Sequence, residues 1–180
     1  MGDRGFWDDV AAAYDRWYAA PEGVMYDRLE KRAVARHLPP AAPGATLVEV
    51  GCGTGHWSAW FAGRGYRVEA VDLSRGMLEA AEAKRIAGVH LALADARALP
   101  FDDGTFDVAA TVTTLAFAGD PPGEHGEAAR VLAEMARVTR PGGTLVVAAL
   151  NRRARVNRER LAEGGAPWEG ASMLAPRSEE

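Results

Sequence analysis

Five short apolar runs, Thr46 to Val50, Arg67 to Val71, Val89 to Ala94, Phe106 to Val112 and Thr144 to Leu150, are each closed by polar or turn residues and separated by stretches with helical patterning. Runs of this length that are apolar without strict alternation suit strands buried on both faces, and the helical stretches between them supply the crossovers that parallel neighbours need. The chain is therefore expected to be α/β, a doubly wound, mostly parallel sheet with five strands visible in the sequence and helices on both faces. The same rhythm excludes a repeat array and an all-β sandwich. With 180 residues, 48% of them hydrophobic, one domain (1–180) has a real core and two would be a squeeze.

Two helical segments precede the first strand. The first places Phe6, Val10, Ala13, Tyr14 and Trp17 on one face, and the second runs from about Gly23 to His37 before Pro39-Pro40 stops it. Together, residues 1–40 read as a helical cover over the ligand edge of a core at 45–150. The most amphipathic helix is Glu127 to Val138, with Ala128, Val131, Leu132, Met135 and Val138 as its stripe. Arg140-Pro141-Gly142-Gly143 is expected to break it and reverse the chain into the fifth strand. Residues 151–180 turn polar.

The net charge of -4 gives no general attraction to nucleic acid. Five arginines crowd into nine positions at Arg152, Arg153, Arg155, Arg158 and Arg160, read first as a solvated helix face and second as an anion or RNA contact without aromatics to stack bases. No long apolar span or secretory signal is present, so a cytoplasmic protein with no membrane contact is expected. Cys52 is the lone cysteine and the four histidines have no ligand spacing, so no metal is expected.

The chemistry gathers at strand ends. Val48-Glu49-Val50-Gly51-Cys52-Gly53-Thr54-Gly55 leaves the first strand and enters a helix near His56, with glycines where the backbone must turn tightly and approach a ligand. The hydride-transfer fingerprint would need glycine at position 56. Glu49 would repel a pyrophosphate and attract a cationic amino-acid head or a sulfonium. Asp72, ending the second strand, suits the two hydroxyls of a ribose, and Ser74 rather than Asp72 fits the cap of the following helix. Asp95, ending the third, is either an acceptor for an exocyclic amine, with the Ala96 amide beside it, or a turn aspartate bonding its own backbone.

VEVGCGTG, VDLS, ADARALPF, FDVAATVTTL and RPGGTLVV, in that order, resemble the small-molecule class I S-adenosylmethionine-dependent methyltransferases of the quinone-methylase-like type, over Phe6 to roughly Arg160. The resemblance implies a Rossmann-like fold, S-adenosyl-L-methionine as cofactor and S-adenosyl-L-homocysteine as product. It further implies that Gly51, Cys52 and Gly53 line the methionine portion, that Glu49 supports the amino group through solvent, and that Asp72 holds the ribose. Leu73 and Met77 would flank the adenine, whose edge meets Asp95 and Ala96. Thr111 and Thr113 lie at the end of the fourth strand, where the family places backbone contacts to the methionine group and begins the acceptor pocket, and Tyr14 and Tyr18 would belong to a lid. For Leu73, Met77 and Tyr14 core packing competes, and Trp57 reads as structural.

Such relatives continue into a final hairpin that this sequence lacks. Either the chain is cut short relative to them, or a second copy covers the edge of the fifth strand in a homodimer. The function so implied is methyl transfer to a small, fairly apolar acceptor by in-line displacement. Alternatives are cofactor binding without catalysis, a nicotinamide oxidoreductase, which His56 and Glu49 disfavour, and RNA methylation. No general base is identified: His56 and His125 qualify by type but read as loop or surface residues.

Overall fold

The computed structural model describes residues 4–117 and 126–149. Expectations that fall on His125, on Leu150 and on residues 151–180, the arginine cluster among them, lie outside the described residues. Two helices, α1 (Arg4–Ala19) and α2 (Pro21–Ala35), lead into β1 (Thr46–Val50). They are followed by α3 (His56–Ala62), β2 (Arg67–Asp72), α4 (Arg75–Ala83), β3 (Val89–Leu93), β4 (Phe106–Val112), α5 (Gly126–Val138) and β5 (Thr139–Ala148). The sheet order is β3-β2-β1-β4-β5 and every pairing is parallel.

Strand alternation sends two sets of side chains into two cores. Leu47, Val68, Ala70, Val108, Ala110 and Val146 meet Trp57 and Phe61 of α3 and Val34 of α2. Val48, Val50, Val71, Phe106 and Ala109 meet Val131, Met135 and Val138, the expected stripe of α5. Each fully buried side chain of this size stabilises the fold by about 1.5–3 kcal/mol, so either helix is held by its stripe rather than by propensity. The chain winds outward from β1 through β2 to β3, then returns to place β4 on the other side of β1. Because the strands are parallel, all their carboxyl ends share one edge, and a crevice opens where the winding reverses.

Three expectations change. β5 begins at Thr139, directly after α5, and not at Thr144. Thr139 pairs with Phe106, and the register then slips until Thr144 pairs with Val108, so Arg140-Pro141-Gly142-Gly143 is an irregularity within the strand. Gly142 takes a positive φ of 78° there, and Pro141 lies where a missing N–H is tolerated. On α1, the residues turned towards the sheet edge are Trp7, Ala11 and Tyr14, a stripe displaced from the expected one. Polar anchors set that rotation: Asp8 accepts from Ser74 Oγ (2.5 Å) and the Gly76 amide (2.9 Å), and Asp15 accepts from Thr54 Oγ1 (2.6 Å) and pairs with Lys84 (2.7 Å). Third, His56 is no surface residue: it opens α3, stacks on Tyr18 at 3.8 Å between ring centroids, and lies 2.7 Å from Asp27.

Candidate functional site

A cavity of about 160 Å³ occupies the crevice at the carboxyl ends of β1, β2, β3 and β4. Gly51 and Gly53 form one side, Asp72, Leu73 and Met77 a second, Ala94 to Arg97 a third, and Val112 to Leu115 a fourth. Trp7 and Tyr14 of α1 roof it, Trp7 in edge contact with Phe117 at 4.8 Å.

The glycine turn is built by backbone conformation. Gly51, Gly53 and Gly55 have φ of 76°, 53° and 78°. A Cβ on Gly51 would lie 2.3 Å from the Thr114 side chain, so both the sign of φ and the space require glycine there. The turn is tied to β2 by Gly51 N–H and Cys52 N–H donating to Val71 O (2.8 and 3.0 Å), and by Gly53 N–H donating to Asp72 Oδ2 (2.8 Å). Asp72 Oδ1 accepts from the Ser74 amide at 2.9 Å, while Ser74 Oγ caps α4 by accepting from Met77 N–H. Asp72 therefore braces the turn and α4 at once. Burial pushes its carboxyl up, and the three backbone amides of Ser74, Gly53 and Leu73 pull the other way.

Glu49 is 2% exposed, and its Oε2 accepts from Ser58 Oγ at 2.5 Å. Burial pushes its carboxyl up to about 8, outweighing the Ser58 hydroxyl, and the nearby Asp72 charge adds to the rise. At neutral pH the group is mostly protonated, and a cation brought near it would draw the proton off.

Asp95 receives three bonds from one residue: Arg97 N–H (2.9 Å) and Nε (2.8 Å) to Oδ1, and Nη2 (2.6 Å) to Oδ2. Arg97 Nη1 continues to Glu127 Oε2 at 2.5 Å, linking the cavity wall to the start of α5. The rest of that wall is pinned by Glu134, which accepts from Leu99 N–H (2.7 Å), and by Arg137, which donates to Leu99 O and Phe101 O (3.0 and 2.8 Å).

Comparison with known proteins decides what kind of domain carries this crevice. Residues 48–147 match the model of a family described as "Methyltransferase domain". The chain belongs to that methyltransferase family. It is 39% identical over 144 residues to the demethylmenaquinone methyltransferase of Beutenbergia cavernae, covering 80% of this chain and 56% of that protein. It is 38% identical over 108 residues to the malonyl-[acyl-carrier protein] O-methyltransferase of Serratia marcescens, covering 60% of this chain and 39% of that one. A SAM-dependent methyltransferase of Thermotoga maritima, described as a possible histamine N-methyltransferase, superposes with a TM-score of 0.64 at 28% identity, over 87% of this chain and 66% of that chain. This methyltransferase chain thus spans about half the length of the curated relatives it matches.

Within the methyltransferase domain, the structure brings Tyr14, Gly51, Gly53, Asp72, Leu73, Met77, Asp95, Ala96 and Thr113 to one cavity. Four expected residues turn their side chains away from it, which leaves the backbone contact expected at Thr111 untouched. Thr111 is fully buried and donates its hydroxyl to Val50 O (2.9 Å), because its side chain points across to β1. Cys52 turns into the core beside Trp57. Glu49 points at α3, and Tyr18 covers His56. Asp95 is on the wall, but the turn pattern describes its bonding: it holds its own loop through Arg97.

Trp7, Arg97, Thr114, Leu115 and Phe117 also line the cavity and were not expected. Arg97 follows the third strand-end acid by two residues, the spacing of a turn aspartate bonding forward, and that was the available signal. Trp7 could have been found only by knowing the rotation of α1. Among the described residues no group of His, Cys, Asp and Glu is placed to hold a metal, and no helix is long and apolar enough to cross a membrane.

Proposed function

We propose that this chain binds S-adenosyl-L-methionine in the carboxyl-edge cavity and transfers its methyl group to a small-molecule acceptor. The observation that carries the reading is the meeting of the glycine turn with the carboxylates of Asp72 and Asp95 under the α1 roof. The donor set fits the cofactor. Asp72 suits ribose hydroxyls and opposes a pyrophosphate, and Leu73, Met77 and Ala96 make an apolar slot for a flat base. Glu49, behind the turn, would act on the amino group at a distance.

When bound, the cofactor supplies a sulfonium methyl that is already electrophilic. The protein's part is then alignment and exclusion of water, and positioning alone lowers such barriers by about 7–11 kcal/mol. Trp7, Tyr14 and Phe117 exclude water. Trp7 and Tyr14 roof the cavity from α1, which Asp8 and Asp15 anchor to Ser74, Gly76, Thr54 and Lys84.

Calorimetric titration with S-adenosyl-L-methionine and S-adenosyl-L-homocysteine tests the reading: micromolar binding of both is expected, and absence of binding to folded protein refutes it. The acceptor, the in-line geometry and a homodimer through the outer edge of β5, where Leu145 and Val147 are exposed, belong to the same proposal. Sedimentation should show a dimer that Val147→Lys dissociates; a monomer at all concentrations removes the dimer alone.

A further inference from the structure

The two α1 aromatics that roof the cavity are each followed by an anchoring aspartate. Trp7 precedes Asp8 and Tyr14 precedes Asp15, seven residues apart, so the two pairs recur after two helical turns on the same side of α1. Asp8 binds the start of α4, at Ser74 Oγ and the Gly76 amide, and Asp15 reaches Lys84, the residue that ends it. α1 therefore lies along α4 and is fastened near both ends of that helix. At the first fastening the close approach requires glycine, since a Cβ on Gly76 would fall 2.8 Å from Asp8 Cα.

The second fastening is a closed ring of residues from three elements. Thr54 Oγ1 donates to Asp15 Oδ1 (2.6 Å), Lys84 Nζ pairs with Asp15 Oδ2 (2.7 Å), and the same ammonium donates to Thr54 O (2.7 Å). Thr54 is fully buried in the turn, between Gly53 and Gly55. Its carbonyl lies one residue ahead of Gly55 O, which takes Ala59 N–H (3.0 Å) at the head of α3, so Lys84 supplies a donor that the helix does not. Asp15, Thr54 and Lys84 do not line the cavity, but they sit directly behind residues that do. A Cβ on Gly53 would lie 4.0 Å from Tyr14 Cε1 and 3.9 Å from Met77 Sδ, so roof, turn and α4 converge on that glycine.

The side chains of Lys84 and Asp15 are 33% and 40% exposed, and an ion pair that open to water contributes little to stability by itself. What the ring fixes is spacing: the roof, the glycine turn and α4 are held at one separation. Resting on the cavity being the S-adenosyl-L-methionine site, we propose that Asp15 and Lys84 are positioning residues for the transfer reaction. By clamping Thr54 they seat Tyr14 on the Gly53 end of the turn, so that docking of α1 and retention of the cofactor are one coupled equilibrium. Such coupling is reciprocal: the factor by which a docked α1 tightens cofactor binding equals the factor by which the cofactor favours the docked helix.

The ring acts as a unit. Once Lys84 or Asp15 is removed, the other has lost its partner, and removing both should cost little more than removing either. Asp8 shares no bonding partner with the ring, so its fastening should act independently of Asp15. Alanine at position 8 or 15 favours the helix itself, so affinity lost there reports the fastening and not the helicity of α1.

The test uses the 180-residue chain with S-adenosyl-L-homocysteine as the probe, calorimetry for affinity and amide hydrogen exchange for α1. In the wild type, saturating S-adenosyl-L-homocysteine should slow exchange of the α1 amides at least ~10-fold. Lys84→Met and Asp15→Ala should each raise the Kd ~10-fold and the double variant no more than ~20-fold, while Lys84→Arg, which keeps charge and donors, should return to within ~3-fold of wild type. Asp8→Ala combined with Asp15→Ala should multiply their separate effects. Gly142→Ala, strained in β5 at φ of 78°, should keep the wild-type Kd and so separates positioning from loss of stability. Binding of S-adenosyl-L-homocysteine to the wild type without protection of α1 overturns the proposal whatever the variants do. So does a folded Lys84→Met variant with wild-type Kd, a pair of effects at Lys84 and Asp15 that multiply, or the same loss of affinity in Gly142→Ala. Folded wild-type protein that does not bind S-adenosyl-L-homocysteine refutes the cofactor site itself, and the positioning role with it.

Discussion

Replacing Glu49 by Gln should stabilise the protein at neutral and alkaline pH while weakening its cofactor affinity. Glu49 is 2% exposed, and burial raises its carboxyl from an ordinary 4.5 to about 8. Between those values the folded chain keeps a proton that the unfolded chain releases, so stability falls as pH climbs through that window. Each pH unit is worth about 1.4 kcal/mol, so the penalty is absent below pH 4, about 3 kcal/mol at pH 7 and close to 5 kcal/mol above pH 8. Gln keeps an oxygen for Ser58 Oγ and, like the protonated carboxyl, a donor, but it does not titrate. Urea unfolding from pH 4 to 9 should show variant and wild type equal at the acid end and diverging upwards, with a smaller slope in the variant. Asp72 and Glu30 are raised in the same sense and remain in both proteins, so the difference between the curves reports position 49 together with its coupling to Asp72. Parallel stability curves would refute the reasoning. The same variant should bind S-adenosyl-L-homocysteine about 10-fold more weakly, through loss of the ionised form that a bound ammonium would favour.

Asp72→Ala should weaken cofactor binding by about 10 to 100 fold in calorimetry, and unchanged affinity would remove its ribose role. Gly51→Ala should abolish that binding and lower the melting temperature markedly, since the new Cβ would fall 2.3 Å from Thr114 on a backbone with φ of 76°. Gly142→Ala, with φ of 78° but nothing within 4 Å, should lose only about 1 kcal/mol and leave binding intact, as denaturant melts and titration would show.

Much of the frame was legible in residue pattern, because burial on both faces of a parallel sheet forces continuous apolar runs and a helix stripe forces 3.6-residue spacing. Thr46–Val50 and Phe106–Val112 are the strands expected, and Val131, Met135 and Val138 are the stripe expected. Rossmann-like winding, the glycine turn after β1 and the aspartates closing β2 and following β3 belong to the same class of local information. A positive φ needs glycine, and a parallel sheet presents its acids at one edge.

Tertiary structure decided the rest. Nothing local distinguishes Thr111 from Thr113; strand alternation sends the first to Val50 O and a left-handed kink puts the second on the cavity wall. The rotation of α1, and with it the place of Trp7, depends on Asp8 and Asp15 meeting partners 66 and 39 residues away. Whether Glu49 carries a charge depends on what buries it. Sequence periodicity determines which faces are apolar and which turns are possible. Desolvation and the pairing of distant polar groups, which set the chemistry of the site, exist only once the chain has folded.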